Sequence, residues 1–235
     1  MDDSSFPSFQ APERKCAICG VEKSDQQKLL KCSGCFSVRY CSVQHQKEHW
    51  KTHKSLCKEI AARTESMRRS ALLNEAWDVA FDCMKANDLE GFRKVLDDND
   101  EGLVNWRPEE YEGVTLLHFS AVFDKASYVS ALLDRGADIH AKTSDGWTSL
   151  MRASDNGHAS CISLLLDRGA DIHAKDNDGM TSLMGSSAFG NASCVSVLLD
   201  RGADIHARDN DGRTSLMLAA ENGHAACSLI LNDAR

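Results

Sequence analysis

Eight residues that can bind a metal lie close together near the N-terminus, as four pairs whose members are two or three residues apart. They are Cys16, Cys19, Cys32, Cys35, Cys41, His45, His53 and Cys57. A gap of two residues lets both side chains turn onto one ion, and a gap of three places them on one face of a helix. Thiolates and imidazoles in sets of four are typical of zinc, so the pattern predicts two complete structural Zn²⁺ sites.

The segment that carries these ligands has few large apolar side chains, among them Tyr40, Trp50 and Leu56. A module of this size cannot bury enough surface to fold alone, so bound metal is expected to stabilise it. Both predicted sites take all their ligands from the protein and leave no position for water. The chain also has no recognisable nucleophile–base pair and no glycine-rich phosphate loop, so we do not expect an enzyme.

The charge is distributed unevenly along the 235 residues. The net charge is −8, but residues 1–70 carry 13 Lys and Arg against 8 Asp and Glu, and the remainder carries 14 against 27. Phosphates would repel this acidic remainder, so nucleic acid is not an expected partner. With no apolar run of membrane-spanning length and no recognisable leader, we expect no membrane partner and a location in the cytoplasm, the nucleus or both.

The second half of the chain repeats itself every 33 residues. Asp-Gly pairs begin at Asp145, Asp178 and Asp211, and Leu-Leu-Asp-Arg-Gly-Ala-Asp-Ile-His-Ala occurs three times. Each unit has a threonine that can cap a first helix, a polar break, a second apolar helix and a glycine that can end it. These threonines are Thr115, Thr148, Thr181 and Thr214, and the glycines are Gly136, Gly169 and Gly202.

By its period and motifs, this part of the chain resembles the ankyrin repeat. The family's Thr-Pro-Leu-His box is found as Thr115-Leu-Leu-His118, and the other three units have methionine in place of the histidine. Methionine cannot form the usual hydrogen bond between repeats but can fill the same space. The resemblance implies an α-helical solenoid with short β-hairpin fingers. Its repeats would span residues 113–144, 145–177, 178–210 and 211–235, after a degenerate capping repeat at 76–112.

The repeats differ from one another at few positions, and those positions predict where a partner protein binds. By the ankyrin pattern they lie beside the Asp-Gly turn and at the end of the first helix, on the concave face. They are Trp147, Asp155, Asn156, Met180, Ala188, Phe189, Arg213, Glu221 and Asn222. Trp147 and Phe189 could anchor the partner, although either could instead pack against the next repeat.

Two further residue types share the 33-residue period. Cys161, Cys194 and Cys227 are predicted to be small core residues, because neighbouring helices lie too far apart for disulfides. Single histidines on successive fingers are predicted to lie on the surface rather than to bind metal. These are His140, His173 and His206.

The zinc-binding segment resembles the MYND finger in the run from Tyr40 to Cys57. The resemblance implies that the ligand pairs interleave in a cross-braced module, and that Ser33, Gln46 and Trp50 form a groove for short proline-containing peptides. The first zinc would be held by Cys16, Cys19, Cys41 and His45, and the second by Cys32, Cys35, His53 and Cys57. The family usually has cysteine at the position of His45, and His49, one turn further on, could compete for that place.

Together these features predict a mostly α-helical, monomeric adaptor for protein–protein interaction. A disordered tail at 1–15 would precede a finger at 16–57, a helical linker at 58–75 and the repeats. Two alternatives stay open: a finger that recruits ubiquitin-conjugating enzymes, as in a ubiquitin ligase, and a transcriptional regulator that uses the finger for recruitment. The repeat array stops at Arg235, directly after a second helix, which predicts either a minimal cap or a shortened repeat.

Overall fold

The computed structural model describes residues 30–31, 39–40, 43–99 and 101–234. The chain divides into two compact units with the boundary between Ala71 and Leu72, inside the predicted linker. The predicted disordered tail and the ligands Cys16, Cys19, Cys32, Cys35 and Cys41 lie outside the described residues.

The first unit contains a short antiparallel ribbon and the start of a long helix. Strand β1 (Leu30–Lys31) pairs with β2 (Arg39–Tyr40), so that Leu30 lies opposite Tyr40. Helix α1 spans Val43–Ala86 and therefore includes the predicted helical linker. Good helix formers occupy much of this linker, and it contains no glycine or proline to end a helix.

The second unit consists of helix pairs. After α1 come α2 (Leu89–Asp98), α3 (Glu101–Val104) and a 3₁₀ turn at Glu109–Tyr111. The first helices of the four repeats are α4 (Leu116–Val122), α6 (Ser149–Asp155), α8 (Ser182–Ala188) and α10 (Ser215–Glu221). The second helices are α5 (Ala126–Asp134), α7 (Ala159–Asp167), α9 (Ala192–Asp200) and α11 (Ala225–Asp233). First helices pack on first helices and second helices on second helices along the array.

The predicted helix ends are confirmed. Thr148, Thr181 and Thr214 accept a hydrogen bond from the backbone N–H three residues later, and Thr115 forms a capping box with His118. Each second helix of the first three repeats is followed by a glycine with positive φ, as at Gly136 (83°). Only glycine adopts this conformation without a steric cost, so the helices end there.

The core of the array runs between the two layers of helices. Leucines of the second helices (Leu132, Leu165, Leu198) are fully buried, and so are the cysteines of the same helices (Cys161, Cys194, Cys227). The three cysteines are unpaired, which confirms their prediction as core residues. In the predicted capping repeat, Trp77 is buried in α1 and stacks on Phe81 and Tyr111, while Phe92 of α2 packs edge-on against Tyr128 of α5.

The fingers are turns, and the predicted β-hairpins are not shown. Within residues 101–234 no strand is formed. Two backbone hydrogen bonds close each finger at its tip, such as those from the Asp176 N–H to the Met180 carbonyl (3.1 Å) and from the Gly179 N–H to the Asp176 carbonyl (3.2 Å). The neighbouring N–H groups of Asp178 and Met180 donate instead to the carboxylate of Asp176. Because a side chain takes the place of a ladder partner, no strand ladder continues along the finger.

Several periodic ties join one repeat to the next. Lys142 donates to the Lys175 carbonyl (2.7 Å), and Lys175 donates to the Arg208 carbonyl (2.8 Å). On the side of the second helices, Arg168 pairs with Asp134, and the next repeat forms the same pair between Arg201 and Asp167, both at 2.7 Å. These ties use side chains that the repeat supplies identically in successive units.

The replacement of the family's histidine by methionine in three repeats has two outcomes. Met151 and Met184 are buried, which confirms that methionine can fill the space of the histidine. Met217 in the last repeat is 46% exposed, so it fills no comparable space there.

Candidate interaction sites

Three of the predicted zinc ligands lie on the described part of α1. His53 and Cys57 are one helical turn apart on α1, the helical separation that their spacing predicts. The helix begins at Val43 and carries His45, whereas Cys41 lies outside the described residues. The donor set of six cysteines and two histidines is one that zinc accepts, and its residues therefore fit the metal.

Two of the predicted peptide-binding residues also lie on α1. Gln46 and Trp50 are one turn apart, and Gln46 precedes His53 by seven residues, about two turns. The helix thus carries both of these predicted peptide positions and both predicted ligands His53 and Cys57. Ser33 lies outside the described residues.

Five of the nine predicted partner-binding residues of the array line one groove. It lies at the junction of the repeats 145–177 and 178–210, and its volume is about 230 Å³. The five are Trp147, Asp155, Met180, Ala188 and Phe189. Phe189 is 61% exposed, so it does not pack against the next repeat, whereas Trp147 and Met180 are half-buried.

The other four predicted residues do not line this groove. Asn156 and Asn222 donate their side-chain amides to carbonyls of their own first helices, at 2.8 and 2.9 Å. Arg213 is held by Asp209, which accepts from its backbone N–H and its Nε, and by Asp211. Glu221 is exposed at the end of α10. Their part in binding remains a prediction.

The floor of the groove depends on Gly185, which sequence reasoning missed. The equivalent positions in the other repeats hold Phe119, Arg152 and Leu218, so a side chain is absent at this one junction. A β-carbon at Gly185 would overlap Oδ1 of Asp155 from the preceding repeat. A glycine inside α8 costs about 1 kcal/mol of helix stability relative to alanine. The sequence does contain a signal for it, because one repeat has glycine where the other three have a larger residue.

The groove places the Asp155 carboxyl beside apolar and acidic neighbours. Asp176 and Asp178 from the following finger also line the groove, together with Met151 and Thr181. Within residues 101–234 no hydrogen bond or ion pair involves the carboxyl of Asp155. Burial raises the pKa of this group to about 7; the nearby Arg152 guanidinium opposes that rise and Asp176 adds to it.

Trp147 forms the aromatic wall of the groove and interacts with a cation from its own repeat. The guanidinium carbon of Arg152 lies 4.3 Å from the centre of the Trp147 ring. This distance is within the range of a cation–π interaction. The ring therefore already stacks with a guanidinium group in this structure.

The histidines of the fingers are exposed, as predicted. The backbone N–H groups of His140, His173 and His206 donate to the carboxylates of Asp138, Asp171 and Asp204, which lie two residues earlier. In the described ranges, no three His, Cys, Asp or Glu residues cluster as a metal site would require. Nor does any of the described helices have the length and apolar character needed to cross a membrane.

Comparisons with known proteins agree with the order of these two parts. The family model "MYND finger" matches residues 16–57, and the family model "Ankyrin repeats (3 copies)" matches residues 80–176 and 169–235. The MYND match implies that the finger binds zinc.

Individual relatives are similar over short segments. Hypoxia-inducible factor prolyl hydroxylase of Caenorhabditis elegans is 38% identical over 31% of this chain and 10% of its own length. Egl nine homolog 1 of Homo sapiens is 37% identical over 24% of this chain and 13% of its own length. Tudor domain-containing protein 1 of Oryzias latipes is 40% identical over 23% of this chain and 5% of its own length. The chain thus spans only a small part of each relative.

Proposed function

We propose that this chain, which belongs to the ankyrin-repeat family and carries a MYND finger ahead of the repeats, joins a proline-containing peptide to a second protein. Both kinds of module bind proteins, so the chain is a protein–protein interaction adaptor. In the proposal the finger takes the peptide, the array takes the second protein, and neither part is catalytic. The adaptor would act in the cytoplasm, the nucleus or both.

The peptide would bind to the finger at Ser33, Gln46 and Trp50. Gln46 and Trp50 are one turn apart on α1, and an amide and an indole at that spacing would offer a polar group and an apolar surface side by side. A proline-rich segment is already extended, so it loses little entropy when it binds such a surface.

Two structural zinc ions would hold this finger in shape, with the ligands paired in the interleaved order. The donor set of six cysteines and two histidines supports this proposal, because it gives each ion four thiolate or imidazole ligands, as structural zinc prefers.

The second protein would bind at the groove between Trp147 and Phe189. The observation that carries this part is the 61% exposure of Phe189 beside a groove where Gly185 replaces the larger residue of the other repeats. Large aromatic side chains at such places often supply most of the binding energy.

The finger is tested by titrating the zinc-loaded full chain with a fluorescent proline-rich peptide. We expect Trp50→Ala to weaken binding at least tenfold, while Trp147→Ala, a matched loss of an indole outside the finger, leaves it unchanged. A zinc count equal to that of the wild type would show that Trp50→Ala still folds. Unchanged affinity in a folded Trp50→Ala variant would refute the peptide site.

The array is tested by placing a photo-crosslinking phenylalanine analogue at position 189 or 229 in cells. Leu229 is 65% exposed on α11 and serves as the matched apolar control. We expect a discrete crosslinked protein only from position 189. Equal crosslinking from both positions would refute a specific surface at the groove.

A further inference from the structure

The groove between Trp147 and Phe189 has the chemistry of a receptor for a basic side chain, and we propose that it binds an arginine flanked by apolar residues in the second protein. This inference rests on the proposed function and adds the chemical class of the partner. Four features of the groove support it: the unpaired carboxyl of Asp155, the aromatic walls, the missing side chain at Gly185 and the negative charge of the surrounding residues.

The carboxylates supply the charge complementarity. Asp155 lines the groove, and Asp176 and Asp178 line it from the following finger. The cation that acts on Asp155 is Arg152, whose guanidinium lies over the Trp147 ring. Asp176 and Asp178 together exceed this one positive charge, Asp155 adds to the excess when it is ionised, and residues 71–235 are acidic overall. A cationic group is the partner that this charge favours.

The walls select a cation with an apolar stem. Met180 and Phe189 of one repeat and Met151 and Trp147 of the other line the groove on its two sides. An arginine side chain can bury its methylene stem between such groups while the guanidinium meets a carboxylate. The planar guanidinium also stacks on aromatic rings, as Arg152 does on Trp147.

Gly185 makes the carboxyl available at the floor of the groove. Because this position has no β-carbon, the Asp155 carboxyl can lie against α8 instead of turning towards solvent. A guanidinium can then pair with this carboxyl and regain the free energy that its burial costs. The three other repeats have a side chain at this position, so only this junction offers the arrangement.

The protonation state of Asp155 should make the affinity of the groove for an arginine peptide depend on pH. Burial raises its pKa to about 7, and the charged groups near it are Arg152 on its own helix and Asp176 in the next finger. An arriving guanidinium favours the ionised carboxylate, so the peptide should bind more tightly as the pH rises from 6 to 8. Since the ionised fraction rises from about one tenth to about nine tenths, the affinity should rise about five- to tenfold.

Methionine methyl NMR on the full chain tests this proposal directly, because Met151 and Met180 line the groove and Met84 is buried in the capping repeat. The probes are three short peptide amides that carry arginine, its neutral isostere citrulline, or glutamate between two leucines. We expect the arginine peptide to shift Met151 and Met180 but not Met84, and to bind about tenfold more tightly than the citrulline peptide.

Charge variants separate local from general attraction. Asp155→Asn should weaken the arginine peptide about tenfold and remove most of the pH dependence. Asp200→Asn removes the same charge from the exposed end of α9, outside the groove, and should leave the affinity unchanged. Equal losses in both variants would overturn the proposal, because they would show only long-range attraction.

The remaining outcomes separate this inference from the proposed function. If citrulline and arginine peptides shift Met151 and Met180 with equal affinity, the groove binds protein segments but the basic partner is wrong. If none of the peptides shifts these methyl groups, the inference is wrong. The adaptor function is tested separately, by the peptide titration of the finger and by crosslinking from position 189.

Discussion

Nε2 of His118 lies 3.1 Å from the carbonyl oxygen of Trp147, so the first repeat binds the next one at a residue that lines the groove. Nδ1 of the same ring lies 2.9 Å from Oγ1 of Thr115. The imidazole is buried, and both nitrogens therefore have partners inside the protein. Burial lowers the pKa of His118 to about 4.

His118 should make the stability of the array depend on pH. The unfolded chain takes up a proton near pH 6.5 and the folded chain only near pH 4, so stability is lost as the pH falls between these values. The full loss is about 3 kcal/mol. His118→Met, which introduces the residue of the other repeats, should cost about 1 to 2 kcal/mol at pH 7 and be the more stable form at pH 4.

Urea unfolding of both proteins at several pH values checks this expectation. The finger releases zinc as its ligands are protonated, so wild type and variant are compared at the same pH. Parallel pH profiles for the two proteins would contradict the buried neutral imidazole.

Asp155 should give the opposite pH dependence. The unfolded chain loses this proton near pH 3.8 and the folded chain only near pH 7, so stability is lost as the pH rises through this window. Asp155→Asn should therefore raise the free energy of unfolding at pH 8 by on the order of 1 to 3 kcal/mol, after an allowance for solvent screening. The difference should fade towards pH 4.

The matched control for this stability measurement is Asp178→Asn, which removes an exposed carboxylate from the same groove. It should change the unfolding free energy by less than about 0.5 kcal/mol. A destabilised Asp155→Asn variant at pH 8 would show that the carboxylate is stabilised in the fold rather than penalised by it.

Much of this array could be predicted from its sequence, because the relevant signals are local. Thr148 caps its helix and Gly136 ends one through contacts within a few residues, and both follow from residue type. The groove combines two departures from the repeat, Asp155 and Gly185, that lie 30 positions apart. Each is visible in the sequence, but the space they share, and the pKa that results, arise only when the repeats stack.

The β-hairpins predicted for the fingers of the repeats, by contrast, are not shown by the structure. The β-hairpin expectation rested on family resemblance, whereas the carboxylate of Asp176 accepts the N–H groups of Asp178 and Met180. A side chain that competes with the backbone for such bonds is hard to foresee from propensity alone.

The predicted zinc stoichiometry can be measured by native mass spectrometry. The wild type should carry two zinc ions, and His45→Ala should carry one, because the first site loses a ligand. His49→Ala is the control and should keep both ions. Two ions in His45→Ala would assign the fourth position to His49 or to water, and fewer than two in the wild type would contradict the paired sites.

The array cysteines should resist thiol reagents. Burial, with a contribution from Asp124, raises the pKa of Cys161 to about 12, and burial also raises the pKa values of Cys194 and Cys227. The thiolate is the reactive form, so iodoacetamide should label these three only after unfolding. Peptide mapping after labelling in increasing urea measures this, and rapid labelling of Cys194 in the native protein would contradict its buried position.

The hydrogen bonds and ion pairs between neighbouring repeats are the same from one unit to the next, so one unit can replace another. A duplicated copy of residues 145–177 would meet the same lysine and arginine partners on both sides, since Lys142 and Lys175, or Arg168 and Arg201, form the same bonds one unit apart. The pairing of Asp155 with Gly185 belongs to one junction. Inserting such a copy would therefore lengthen the array and still leave one junction at which Asp155 faces Gly185.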